Sequence, residues 1–264
     1  MIDIYKKTIT AIKQNPTVII LFMMLGLMDF FALIILFLSH SEPLSIVLAP
    51  IIRAFWGSRF LHYPDNFLLL PKLFNHAHLV ILATAGILFS GIVTKKVEAY
   101  SNGKDIHTGQ ALVPVLKKYI VLVLAWGLTY FIYSLIIRKA LPLFHLKSPW
   151  IQLLIGYVFG VVMQAAFAFI IPSLLLSEQG LWKDLMLGLK LGVKYLGITS
   201  LVIAFPILLI AVSSIFKMLT PYYVSFNPEI VLVVLGVSLV LSTVVDMVVT
   251  TSTVILFLKV RNQS

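Results

Sequence analysis

Six long apolar stretches dominate this chain, near residues 17–39, 74–95, 119–138, 149–175, 195–216 and 228–258, and only Asp29 and Asp246 place an acid deep inside any of them. A helix rising about 1.5 Å per residue crosses the roughly 30 Å of bilayer hydrocarbon in about 20 residues, so each stretch is long enough to span. Backbone polar groups inside hydrocarbon must be satisfied within the segment, which selects helices for apolar runs of this length. The expected fold is an all-α membrane protein: a six-transmembrane-helix bundle forming one integral membrane domain over residues 1–264.

Composition agrees. Hydrophobic residues make up 60% and charged residues 11% of the chain, against roughly 45–50% and 25% in soluble domains. A net charge of +10 would suggest nucleic acid in a soluble protein, but here the lysines gather beside span ends. That placement points to anionic lipid headgroups and to no nucleic acid. With no cysteine there is no disulfide and no thiol chemistry. The first apolar run is too long for a signal peptide, and Ser39-His40-Ser41 does not form a small-residue cleavage site, so an uncleaved anchor is expected.

Six spans put both termini on one side. That side carries 13 of the 20 Lys and Arg residues, including Lys6, Lys7, Lys13, Lys117 and Lys118. The positive-inside rule then places both termini in the cytoplasm of a bacterial-type inner membrane. The chain reads as three hairpins, each introduced by a short cytoplasmic amphipathic segment. The first puts Ile2, Tyr5, Ile9 and Ile12 near one face; the second runs from Thr108 to Lys118-Tyr119; the third carries Lys183, Lys190 and Lys194 and ends in Lys194-Tyr195. Such segments are expected in the interface, with ammonium groups among lipid phosphates. Asn15-Pro16, Ser148-Pro149 and Asn227-Pro228 each set a capping side chain before a proline at the first helical position. On the opposite side, residues 40–73 form the one long connection, too apolar for a solvated loop, and are expected to cap the bundle or lie on the membrane. Arg53 and Arg59 are its candidate lipid-phosphate contacts.

Polar residues at membrane depth form stripes. Ser238, Ser242, Asp246 and Thr250 follow at i+4 on the last span, and Gln152, Gly156, Gly160 and Gln164 do so on the fourth. A carboxylate facing hydrocarbon costs at least about 2.5–3.5 kcal/mol, so these stripes are expected to meet inside, with Asp29, Gln164 and Asp246 at one depth. No Lys or Arg is available there as a counter-ion, and the two acids, where they touch, would share a proton. The Gly156–Gly160 face suits a close helix neighbour, a protein partner or a second copy. Broken helices near the midplane would favour transport, and Pro206 in the fifth span is the one break foreseen.

Enzyme signatures are missing: no G-x-S-x-G, no glycine-rich phosphate loop, no H-E-x-x-H. Five of six histidines, His40, His62, His76, His78 and His145, fall on the side away from the termini and read as span-end residues, with no metal or cofactor expected. The expectation is a non-catalytic, lipid-associated or partner-binding membrane component. The alternatives are a small proton- or cation-coupled permease using Asp29 and Asp246, and third a lipid-modifying enzyme built on Arg53, Arg59, His62 and Asp65.

Ser177-Glu178-Gln179-Gly180-Leu181, continuing to Lys190 and Lys194-Tyr195, together with the Asn15-Pro16 entry, resembles a recurrent pattern. It is similar to the membrane domain that precedes the catalytic barrel in some bacterial glycerophosphodiester phosphodiesterases, and to related stand-alone six-span proteins. The barrel has no counterpart here, so the resemblance implies an accessory role with lipids or partner proteins and no phosphodiesterase activity.

Overall fold

The computed structural model describes residues 1–143, 149–177 and 179–261. His145, Ser148 and Glu178, which enter the expectations above, lie outside the described residues. All regular structure among the described residues is helical. Six segments are long and apolar enough to cross a membrane: Pro16–His40, Asp65–Ser101, Thr108–Ile136, Leu154–Leu176, Leu196–Met218 and Ile230–Arg261. The helices are α1 (Ile2–Gln14), α2 (Pro16–Phe37), α3 (Leu44–Trp56), α4 (Asp65–Ile81), α5 (Ile87–Ser101), α6 (Thr108–Leu143), α7 (Pro149–Phe167), α8 (Ile170–Leu176), α9 (Leu181–Lys194), α10 (Leu196–Met218), α11 (Thr220–Phe226) and α12 (Ile230–Arg261).

Contacts divide the chain into two compact units. The first takes in Met1–Leu21, Ala83–Leu208 and the chain from Val245 onward. Its centre is the end of α12, where every residue from Thr251 to Leu258 is buried. Phe169 packs its ring on Phe257 at 5.7 Å. The short α8 ends with carbonyls that lack intrahelical donors, and two cations supply them: Lys118 Nζ reaches the Leu174 oxygen at 2.6 Å and Arg261 the Leu176 oxygen at 3.1 Å. Cations at a helix C-terminus also complement its dipole.

The second unit takes in Phe22–Leu82 and Leu209–Val244. Leu33, Ile52, Phe67, Phe74 and Leu235 belong to one buried cluster. Ser213 and Ser238 hydrogen bond at 3.2 Å within this unit.

Four sequence expectations change. The second span begins nine residues earlier than its hydropathy suggests. Helix α4 opens at Asp65 and buries Asn66, Phe67, Leu70, Leu73 and Phe74 along one face. That is an amphipathic i, i+1, i+4, i+7, i+8 pattern, which the polar Lys72, Asn75 and His76 on its exposed side obscure. The second amphipathic segment is no separate helix, being the first turns of the continuous α6. Helix α1 buries Ile4, Thr8, Ala11 and Ile12, whereas Ile2 and Ile9 are exposed. Finally, Pro206 lies inside an unbroken α10, while the irregular turns fall elsewhere: a π-helical stretch at Leu82–Gly86 and the break between α7 and α8.

Proline explains two of these features. A helical proline offers no N–H to the carbonyl four residues back and crowds it. For Pro172 that carbonyl belongs to Ala168, where the helix breaks. For Pro206 it belongs to Val202, and there the Tyr5 hydroxyl of α1 donates to the Val202 oxygen at 2.6 Å. One side chain from outside thus satisfies the acceptor that Pro206 leaves unpaired, and the helix continues.

Candidate functional site

Helix α9 divides into three faces. Asp184, Gly188, Leu191 and Gly192 are buried against the first unit. A Cβ on Gly188 would stand 2.8 Å from the Phe169 carbonyl oxygen, and one on Gly192 would collide with the Ala166 carbonyl. Only glycine permits this approach. The turn that delivers α9 needs Gly180 at φ +107, and the buried Asp184 carboxylate accepts the Gln179 N–H at 3.3 Å in the first helical turn. Ser173 donates to the Asp184 carbonyl at 2.6 Å, tying α8 to α9.

The other two faces are exposed. At about 100° per residue, Trp182, Met186 and Val193 fall within about 40° of one another, and Lys190, Lys183 and Lys194 share the next sector. Trp182 is 70% exposed, and Met186 and Val193 are also well exposed. Lys194 lies 5.3 Å above the Tyr195 ring. The same order, read in the same rotational sense, recurs in the same unit. On α1 the buried face gives way to exposed Ile9 and Ile2 and then to Lys13 and Lys6. At the start of α6, buried Ala111 and Val115 give way to exposed Leu116 and Val113 and then to Lys117. The internal repeat is therefore one of angular order more than of residue identity.

A second constellation lies within the spans of the second unit. Asp29 is 2% exposed, and His78 of α4 meets its Oδ1 through Nδ1 at 2.9 Å. The imidazole stacks against Phe74 one turn earlier, 6.1 Å between centroids. The partner of Asp29 is thus a histidine expected at a span end, which the early start of α4 carries inside the helix. His76, two residues away, faces elsewhere: its Nδ1 pairs with the Lys72 carbonyl and its ring meets Trp56.

Asp29, Ser238 and Ser242 belong to the second unit, whereas Gln164, Asp246 and Thr250 belong to the first. Gln164, expected inside, is exposed, while Asp246 and Thr250 are half-buried. Ser242 donates to its own Leu239 carbonyl. The glycine step expected to seat a neighbour is open among the described residues, where no atom lies within 4 Å of a Cβ on Gly156 and the Tyr133 hydroxyl oxygen, at 3.6 Å, approaches one on Gly160. The glycine pair that is used is Gly188 and Gly192. Arg53 and Arg59 are exposed.

No family profile, no curated protein and no solved structure matches this chain.

Proposed function

We propose that this chain is a non-catalytic multi-pass component of a bacterial-type inner membrane that associates with anionic phospholipid through its cytoplasmic-side helices, α9 foremost. The observation that carries this reading is the sectored surface of α9, where an apolar strip headed by Trp182 adjoins Lys183, Lys190 and Lys194. A helix docked by one face and flanked by spans presents its free apolar strip to acyl chains and its ammonium groups to phosphates. Each lysine near an anionic surface contributes about 1 kcal/mol, so three act as a unit. The resemblance to phosphodiesterase membrane domains falls on the turn and helix that build this surface.

The test uses a chain in which Trp182 is the sole tryptophan, reconstituted with phospholipid brominated near the glycerol end of its chains. Quenching of Trp182 that is stronger in anionic than in zwitterionic vesicles, and that loses this preference in the Lys183, Lys190 and Lys194→Gln triple variant, supports the reading. Unquenched Trp182 overturns it.

Two further observations favour narrower readings. The open Gly156–Gly160 face, with exposed Gln164 one turn on, suits a second copy, because small residues admit a close helix and an amide at span depth seeks a partner. Crosslinking through Gly160→Cys in a chain that has no other cysteine reads this directly. The Asp29–His78 pair suits a proton path through the spans. Loss of proton flux from proteoliposomes in both Asp29→Asn and His78→Gln would support it, and flux no greater than in empty vesicles excludes it.

A further inference from the structure

Lys96 sits on α5 in the first unit and is 7% exposed. An ammonium carries three donors, yet among the described residues Lys96 Nζ has one partner, the Thr17 hydroxyl oxygen at 3.2 Å. No carboxylate among the described residues lies within ion-pair distance of it. The nearest acid along α5, Glu98, is already engaged: Lys95 Nζ holds one of its oxygens at 3.1 Å, and Arg261 approaches the other at 3.9 Å. Two cations therefore share this acid, and the buried Lys96 does not touch it.

Thr17 occupies the first turn of α2, directly after Pro16. First-turn N–H groups have no intrahelical acceptor, and the helix dipole adds positive potential there. The residue expected to cap this end does not do so. Asn15 instead turns its side-chain amide back to the Ala11 carbonyl at 3.1 Å. Because Thr17 accepts from Lys96, its own hydroxyl proton is free to point outward. Pro16 carries no N–H, and the Val18 N–H is taken by the Asn15 carbonyl at 2.9 Å. What remains here is the ammonium hydrogens not given to Thr17 and the Thr17 hydroxyl proton, beside the positive end of the helix dipole, and no carboxylate among the described residues answers them. Removing a cation from water without a counter-charge costs several kcal/mol, and an anion seated on these donors removes that penalty.

We propose that Lys96, Thr17 and the first turn of α2 form a binding site for one phosphate group, of the kind a phospholipid headgroup carries. The inference deepens the lipid reading and rests on it only for the source of the phosphate. A headgroup at this site is held by convergent donors at a helix end, unlike the diffuse attraction of the α9 lysines. It would survive gentle extraction when loosely held lipid is lost.

The experiment is native mass spectrometry of the full chain released from mild detergent, followed by thermal unfolding of delipidated protein with and without inorganic phosphate. The expected result is one retained phospholipid on the native chain. Lys96→Met should lower its occupancy about tenfold; Thr17→Val, which removes only a hydroxyl, lowers it less and guards against misfolding of the first variant. The triple α9 lysine variant should keep this lipid, so failure of the α9 reading and failure of this one are distinguishable. Absence of retained lipid, with phosphate raising the melting temperature of the native chain and not of Lys96→Met, supports the same site with free phosphate as ligand. Equal lipid retention by native chain and both variants, with no response to phosphate, overturns the proposal and leaves Lys96 a packing residue.

Discussion

Tyr5 shows how much one hydroxyl can decide. Its phenol lies on α1, outside the spans, and burial pushes its pKa above the usual tyrosine value. The protonated form donates to the Val202 carbonyl that Pro206 leaves without a donor. Tyr5→Phe would leave that buried acceptor unpaired, at a cost of about 1–3 kcal/mol. The sign with pH follows. Unfolded Tyr5 loses its proton near pH 10 and the folded residue only above that, so this contribution is whole below about pH 10 and declines as pH rises further. Unfolding in detergent at rising pH should therefore show a loss in the native chain that Tyr5→Phe lacks. The Asp29–His78 contact makes a second residue-scale prediction. Removing either partner strands a buried polar group, whereas removing both strands none. A double-mutant cycle with Asp29→Leu and His78→Leu should show the pair less destabilised than the sum of its single variants; strict additivity would mean the two groups do not interact.

At the scale of elements, the same local signal had two outcomes. Gly156-x-x-x-Gly160 and Gly188-x-x-x-Gly192 are identical patterns at i+4, and nothing in the pattern says which one a neighbour fills. The structure seats the Ala166–Ile170 backbone against the second and, among the described residues, leaves the first open. Gly192→Val should therefore detach α9, exposing it to protease and lowering the unfolding temperature, while Gly156→Val in the isolated chain should leave that temperature nearly unchanged. The α4 helix carries the converse lesson. Its buried face was readable as an amphipathic pattern from Asn66 to Phe74, but Lys72, Asn75, His76 and His78 lower the local hydropathy, so a window average starts the span too late in the chain. His78 then reads as a span-end residue, and the acid in α2 is left without a visible partner.

For the molecule as a whole, membrane solvation did most of the selecting. Apolar stretches of this length have one way to satisfy their backbones in hydrocarbon, so six spanning helices and the absence of strand signals were legible from composition and run length alone. The lysines of α9 were also legible as an exposed stripe, because charge beside a span end has few other places to go. The Asn227 side-chain oxygen accepts the Glu229 N–H at 3.1 Å, but Pro228 and Glu229 form a turn and α12 opens only at Ile230, so the expected cap sits ahead of the helix. Pairing between distant residues was not legible. That Lys96 meets Thr17, that Tyr5 meets Val202 and that His78 meets Asp29 depends on which faces of which helices touch, and a periodic pattern fixes a face without naming its neighbour. Sequence determined the class, the number of candidate spans and the lysine stripe of α9, since these follow from local solvation and the helical period. Tertiary structure alone decided where the breaks fall, which glycine pair is filled and which buried polar groups find partners, since these are set by packing between segments far apart in the chain.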